Sequence, residues 1–271
     1  MKGGISTACF YPMETSESLA LLLKDGHTHF ELFFNTYREM RQPYLSRLRA
    51  MLEQYGGTIQ SVHPFTSGYE SMLLFSNYET RFEDSLQFYR AYCKAAKALG
   101  AKLVILHGMR CEYHSEEAQN RYFRRYQALY RMGQSLGITI AQENVVHNFS
   151  QSPSFIRQMR EALGDECAFC FDLKQAVRAG VDGDEMLDAM GDRLVHIHLN
   201  DNAPGETCLV PGEGRVDFPA LLGHAKRNGF DGSVIIEVYR KNFQSPQALR
   251  ESRERLENWI FAAEIGKNRK K

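Results

Sequence analysis

The chain has 271 residues and equal numbers of basic and acidic side chains, 33 Lys plus Arg against 33 Asp plus Glu, so no net field draws it to nucleic acid or to a membrane surface. No run of about 18 apolar residues occurs, and the opening Met1-Lys-Gly-Gly lacks the apolar stretch of a signal peptide. The six cysteines fall within strand and helix patterns rather than at the spacings of a disulfide framework, which fits a cytoplasmic enzyme or binding protein.

Strand-like runs alternate with helical stretches from end to end. Residues 5–10 read as a first strand, followed by an apolar helical stretch around residues 19–23. Residues 29–34 form the second strand, and a helix over about 37–55 is stopped by Gly56-Gly57. The third strand, 58–63, ends at His63. The long loop after it, 66–78, suits a lid over a site or a surface packed on a neighbour. A helix over about 80–99 closes at Gly100, and the fourth strand, 102–107, ends at His107. An Arg- and Tyr-rich helix spans about 115–136 with Gly137 after it, and its aromatic residues read as a packing face.

The second half repeats the rhythm. The fifth strand, 138–143, ends at Glu143, and a helix near 152–163 opens on a Ser-Pro pair. The sixth strand, 167–172, ends at Asp172, with helical segments near 174–179 and 184–190. In the seventh strand, from Leu194, His196 and His198 share one face while Val195, Ile197 and Leu199 take the other. A turn-rich loop, 200–214, leads to a helix near Asp217. The eighth strand, 233–237, ends at Glu237, a last helix covers about 245–265, and the basic residues 266–271 read as a frayed tail.

Strands alternating with helices imply right-handed parallel crossovers. Eight such units in one chain without a Gly/Ser/Pro-rich linker predict an α/β fold, a single-domain (β/α)8 TIM barrel over residues 1–271. No Gly-x-Gly-x-x-Gly follows the first strand, which weakens a dinucleotide-binding reading.

In such a barrel the C-terminal ends of all strands meet at one mouth. Glu143, Asp172, His198 and Glu237 end successive strands there, giving three carboxylates and an imidazole. Unpaired, three carboxylates would repel one another, and one divalent cation resolves the conflict. Oxygen and imidazole donors suit Mn²⁺, Mg²⁺, Co²⁺ or Zn²⁺. His63 and His107 face the same mouth, as binders of substrate oxygens or of a second metal, or as hydrogen-bonded barrel histidines. His114 and His147 lie in loops and carry no comparable argument. Cys167 and Cys170 read as core packing within a strand.

The segments Ser61-Val-His-Pro64, Leu106-His-Gly108, Gln142-Glu-Asn144, Phe171-Asp172, His196-Ile-His-Leu-Asn-Asp-Asn202, Pro211-Gly-Glu-Gly-Arg-Val-Asp-Phe218 and Ile236-Glu237 resemble, in order and strand placement, the sugar phosphate isomerase/epimerase family of xylose isomerase-like barrels. That family includes ketose 3-epimerases and the endonuclease IV branch. The resemblance implies that Glu143, Asp172, His198 and Glu237 hold one divalent metal. It also implies that Glu143 and Glu237 are the catalytic pair, one taking a proton from a carbon beside a carbonyl and the other returning one, with the metal stabilising the enediolate between. His63, His107 and Gln175 would bind substrate.

Three positions depart from the family pattern. Gln175 stands where many relatives carry histidine, Pro204 where epimerases often have arginine, and Glu206-Thr-Cys208 where the endonuclease branch has Asp-x-His. The expectation is a metal-dependent isomerase or epimerase of a small sugar, ketose or sugar phosphate. The alternatives are a lyase or dehydratase on a related hydroxy-carbonyl compound, an abasic-DNA phosphodiesterase, and a non-catalytic sugar-binding barrel. The expected partner is a small carbohydrate, with neither nucleic acid nor membrane, and association into a homo-oligomer is left open.

Overall fold

The computed structural model describes residues 1–111 and 115–265. The basic tail expected at 266–271, and His114, lie outside the described residues. Eight parallel strands close a barrel: β1 (Lys2–Ser6), β2 (His29–Phe33), β3 (Thr58–His63), β4 (Leu103–Leu106), β5 (Thr139–Glu143), β6 (Phe169–Asp172), β7 (Leu194–Leu199) and, after a two-stranded hairpin of β8 (Asp201–Ala203) and β9 (Glu206–Leu209), β10 (Ser233–Ile236). The ring runs β1-β10-β7-β6-β5-β4-β3-β2, each strand bonded in parallel to its neighbours. This is the TIM barrel expected from the sequence.

Helices α1 (Thr15–Lys24), α2 (Tyr44–Tyr55), α3 (Glu70–Leu73), α4 (Glu79–Ala98), α5 (Glu116–Ser135), α6 (Pro153–Leu163), α7 (Leu173–Ala179), α8 (Gly183–Met190), α9 (Phe218–Arg227) and α10 (Pro246–Ile265) occupy the connections. Their starts follow capping chemistry: Ser115, Ser152, Asp172, Asp182 and Asp217 each accept a backbone N–H from the first turn, filling donors the helix cannot. Among the described residues no helix is long and apolar enough to cross a membrane.

Four local expectations are corrected. The first strand lies at Lys2–Ser6 rather than 5–10, because Thr7–Phe10 winds into a 3₁₀ turn whose Ala8 N–H is accepted by Ser6 Oγ at 3.3 Å. The helix expected at 37–55 is a 3₁₀ turn, Tyr37–Met40, and then α2; Pro43 between them has no N–H to continue a helical ladder. The loop 66–78 contains a 3₁₀ turn, Ser67–Tyr69, and α3. The loop 200–214 contains the hairpin β8–β9. There the Asp201 carboxylate accepts N–H bonds from Gly212, Gly214 and Val216 at 2.9, 2.9 and 3.1 Å, folding the Gly-Glu-Gly turn back onto the barrel.

Alternation along the strands sorts the interior into two layers. Gly4, Glu31, Ser61, Ile105, Ala141, Cys170, His196 and Ile235 form the floor. Two residues further along each chain, Ser6, Phe33, His63, His107, Glu143, Asp172, His198 and Glu237 form the mouth. Gly4 is required at its place, since a Cβ there would lie 2.7 Å from Ile235 Cδ1 and 2.7 Å from the His29 carbonyl oxygen. The opposite faces, with Val104, Ile140, Phe169, Phe171 and Ile197, pack under the helices in the main core.

Glu70 on α3 braces the mouth from outside: it is fully buried and accepts hydrogen bonds from Tyr89 Oη–H and from the Gly108 backbone N–H, next to His107. Arg125 holds the same segment through the Leu74 carbonyl at 2.9 Å and Glu79 at 2.8 Å. Burial raises the Glu70 carboxyl to about 8 from an ordinary 4.5, against those two hydrogen bonds. The native state therefore holds this proton more tightly than the unfolded chain. The associated stability is complete below about pH 4.5 and is lost as pH rises to about 8, a loss on the order of a few kcal/mol. Urea unfolding of the protein and of Glu70→Gln between pH 5 and 8 should show a steeper decline in the unsubstituted chain, by about 2 kcal/mol or more across that window. Equal slopes would contradict the protonated carboxyl.

Candidate active site

The site begins at the floor. Glu31 Oε2 accepts from Ser61 Oγ–H at 2.8 Å and lies 3.0 Å from His198 Nε2 and 3.3 Å from His196 Nε2, with all four side chains buried. The carboxylate occupies one end of the His198 ring and turns Nδ1 up to the mouth. There Nδ1 lies 3.6 Å from Glu143 Oε1 and 3.7 Å from Glu237 Oε2. Burial opposes charge on Glu31, but His198 and His196 outweigh it and hold the carboxyl well below its ordinary range.

Two further histidines close one side. His63 Nδ1 donates to the Pro64 carbonyl at 3.3 Å, and its Nε2 faces His107 Nε2 at 3.1 Å. Glu143 Oε2 lies 3.0 Å from His107 Nε2 and 3.8 Å from His63 Nε2. Burial pushes the Glu143 carboxyl up, while His107, His198 and His63 pull it well below its usual range. On the other side Lys174 Nζ reaches Asp172 Oδ2 at 3.0 Å and Glu237 Oε2 at 2.9 Å. The Asp172 carboxyl rises to about 6, chiefly by burial and also through Glu143 and Glu237, against the pull of Lys174. Glu237 is lowered: burial opposes its charge, but Lys174 and His198 outweigh that.

Amide side chains lock the strand ends. Gln142 Nε2 donates to the carbonyls of Leu106, His107 and Glu143 at 3.2, 3.0 and 2.8 Å. Asn144 exchanges two bonds with the Asp172 backbone at 2.7 and 2.9 Å. Asn200 Nδ2 donates to Asp172 Oδ1 at 3.2 Å. Above them opens a cavity of about 520 Å³. Its polar wall includes His63, His107, Glu143, Lys174, Gln175 and Glu237, and its apolar wall includes Tyr11, Phe33, Phe65, Val238 and Tyr239.

All seven residues singled out from the sequence thus gather at the mouth. Asp172 and His198 lie below the cavity surface, fully buried. Gln175 lines the cavity, with its Oε1 accepting the Val146 N–H at 3.2 Å. Glu143, Asp172 and His198 can hold a metal ion, one ligand atom from each lying within 4.8 Å of the others; His63, His107 and Glu143 form a second such triad, and Glu31, His196 and His198 a third. In the first, Glu143 Oε2, Asp172 Oδ2 and His198 Nδ1 are buried without a hydrogen-bond partner. Their close ionic neighbours lack hydrogen-bond geometry. Three convergent, unfilled donors of oxygen and imidazole type fit a divalent cation. Glu237 stands apart from the triad, its Oε2 turned to Lys174.

Two members were not identified from the sequence. Glu31 had a signal, a charge within an otherwise apolar strand (Phe30, Leu32, Phe33), which is costly unless partnered. Lys174 reads as an ordinary solvated helix lysine, and only the tertiary structure shows it 5% exposed.

The family model described as xylose isomerase-like TIM barrel matches residues 19–259. An uncharacterized protein of Mycobacterium leprae is 24% identical over 274 residues, covering 90% of this chain and 91% of its own. Among solved structures, an L-ribulose 3-epimerase superposes with a TM-score of 0.80 at 14% identity, over 98% of this chain and 96% of its own. A xylose isomerase-like TIM barrel protein from Mycobacterium smegmatis, in complex with magnesium, superposes at 0.74 with 15% identity, over 92% and 88%. At these identities the structural likeness is one of fold.

Removing Glu31 tests the floor directly. Glu31→Ala leaves Ser61, His196 and His198 facing an empty acceptor position and should destabilise the protein by about 3–5 kcal/mol in urea unfolding. A loss under about 1 kcal/mol would show that the floor network is not a structural determinant.

Proposed function

The chain belongs to the xylose isomerase-like TIM-barrel family, and from that premise we propose that it is a metal-dependent isomerase or epimerase of a small, sugar-like hydroxy-carbonyl compound. The observation that carries this reading is the convergence of Glu143 and Glu237 on His198 Nδ1, at 3.6 and 3.7 Å, at the base of an open cavity. Two carboxylates that converge on one point can each reach a substrate carbon held above it. One, ionised, takes the proton from the carbon beside the carbonyl, leaving an enediolate, and the other, carrying a proton of its own, delivers it to the opposite face of that carbon, which inverts the centre; delivery to the neighbouring carbon moves the carbonyl instead. Burial opposes charge on both carboxyls, yet His107 beside Glu143 and Lys174 beside Glu237 draw them below their ordinary range, so neither is marked out over the other as the acceptor of the proton.

Glu143, Asp172 and His198, completed by Glu237, would hold one divalent ion, which when bound supplies Lewis acidity to the substrate's carbonyl and neighbouring hydroxyl oxygens. His63, His107 and Gln175 line the cavity where those hydroxyls would lie. The apolar wall of Phe33, Phe65 and Tyr239 offers surface to the C–H face of a sugar. The solved relatives described as an epimerase and as a magnesium complex are in keeping with this chemistry.

The test is proton NMR of Mn²⁺-loaded protein in deuterated water with a panel of ketoses and ketose phosphates. Deuterium should enter at a carbon beside the carbonyl, and the position labelled names the substrate and the reacting carbon. Glu143→Gln and Glu237→Gln should each lower turnover by about 10²–10⁴-fold with circular dichroism unchanged. Near-full activity in either variant sinks the mechanism. A dehydrated product in place of exchange assigns the site to a lyase.

A further inference from the structure

Lys174 is the feature that the reading above leaves unused. It is the second residue of α7, two positions after the Asp172 N-cap, and its side chain returns to the strand ends. Its ammonium lies 3.0 Å from Asp172 Oδ2 and 2.9 Å from Glu237 Oε2, with the side chain 6% exposed. Tyr239 stacks beneath it, the ammonium 5.3 Å from the ring centroid, and Arg178 holds the Tyr239 hydroxyl at 2.9 Å. This is a built position rather than a solvated lysine that happens to bend inward.

The two oxygens it contacts belong to two of the four residues assigned to the metal. A monovalent ammonium and a divalent ion repel one another and compete for the same lone pairs, most strongly where water is excluded. We propose that Lys174 is the resident counter-ion of the metal site: it neutralises the Asp172–Glu237 pair in the metal-free protein, and a divalent cation binds only by displacing it. Lys174 thereby sets the affinity of the site, trading tight metal binding for a mouth that stays folded and charge-balanced when empty. The inference rests on the metal-site reading of the preceding subsection.

A buried pair of carboxylates needs a cation at all times, and the lysine supplies one whenever the metal is absent. Two consequences run in opposite directions. Replacing Lys174 by a neutral residue removes the competitor, so the metal binds more tightly. The same change leaves two carboxylates unpaired, so the metal-free protein loses stability. A lysine that served only the architecture would produce the second effect without the first.

The experiment is a Mn²⁺ titration of the metal-stripped full chain, with free Mn²⁺ read by electron paramagnetic resonance, beside the same titration of Lys174→Met. The variant should bind Mn²⁺ about tenfold more tightly or better, melt lower than the parent without metal, and gain more in Tm when Mn²⁺ is added. Lys174→Gln, polar and near in length, carries the same expectation should the methionine variant fail to fold. Equal affinities in parent and variant overturn the role of Lys174 and leave the metal site standing. Weaker binding in the variant also overturns it, because the lysine would then be assisting the metal. Absence of Mn²⁺ binding in both proteins overturns this inference together with the functional reading.

Discussion

Glu31 Oε2 stands 2.8 Å from Ser61 Oγ, 3.3 Å from His196 Nε2 and 3.0 Å from His198 Nε2 at the closed floor of the barrel. A carboxylate in such an interior costs several kcal/mol unless it is partnered, and donors from β3 and β7 converge on Oε2, while Oε1 is buried without a hydrogen-bond partner. In return the carboxylate fixes a ring. His198 has only two nitrogens, so committing Nε2 to the floor leaves Nδ1 as the one that can serve the mouth. Everything above depends on that choice, because Glu143 and Glu237 are arranged around Nδ1 from β5 and from the end of β10. The interaction therefore links the β2–β3 side of the barrel to chemistry assembled on the far side.

The mouth is an exercise in balancing charge without water. Glu143, Asp172 and Glu237 are buried or nearly so. Their partners come in separate sets: His63 and His107 beside Glu143, Lys174 beside Asp172 and Glu237. The opposite directions in which Asp172 and Glu143 are displaced follow from this division. Burial weighs on both. Glu143 has three imidazoles to offset it, whereas Asp172 has a single ammonium that it shares with Glu237. A divalent ion placed among Glu143, Asp172 and His198 would meet the need that the lysine meets only in part.

The barrel was legible in the sequence because its strands announce themselves by β-branched and aliphatic runs and, at the exits of β3, β4, β5, β6, β7 and β10, by a polar residue as well. Ile140, Ala141, Gln142 and Glu143 illustrate it: the alternation that buries Ile140 under the helices turns Ala141 and Glu143 inward. The same rule placed His63, His107, Asp172, His198 and Glu237 at one mouth, and they are there. It could not find Lys174, which sits on a helix, where its inward course is set by tertiary packing rather than by any period. Nor could it find the β8–β9 hairpin, whose strands are three and four residues long and are held by Asp201 gripping three amides of a distant turn. Contacts of that kind are made by tertiary placement and leave no periodic trace.

Strand ends and cavity walls are built by different means, and the difference bears on what the fold can vary. The mouth residues are clamped from behind by Gln142, Asn144, Asn200 and Glu70, whose hydrogen bonds go largely to backbone and do not depend on a ligand. The walls come from the segments that follow the strands: Tyr11 after the first 3₁₀ turn, Phe65 after β3, Gln175 on α7, Tyr239 after β10. Such segments can change a side chain without disturbing a strand, as enzymes on this architecture do when they change substrates over a constant core. Lys174 and Gln175 stand on the boundary between the two systems, adjacent on α7, one turned to the carboxylates and one to the cavity. A substitution in that pair would reach the buried carboxylates and the cavity wall together, whereas one at a clamped strand end would reach the barrel itself.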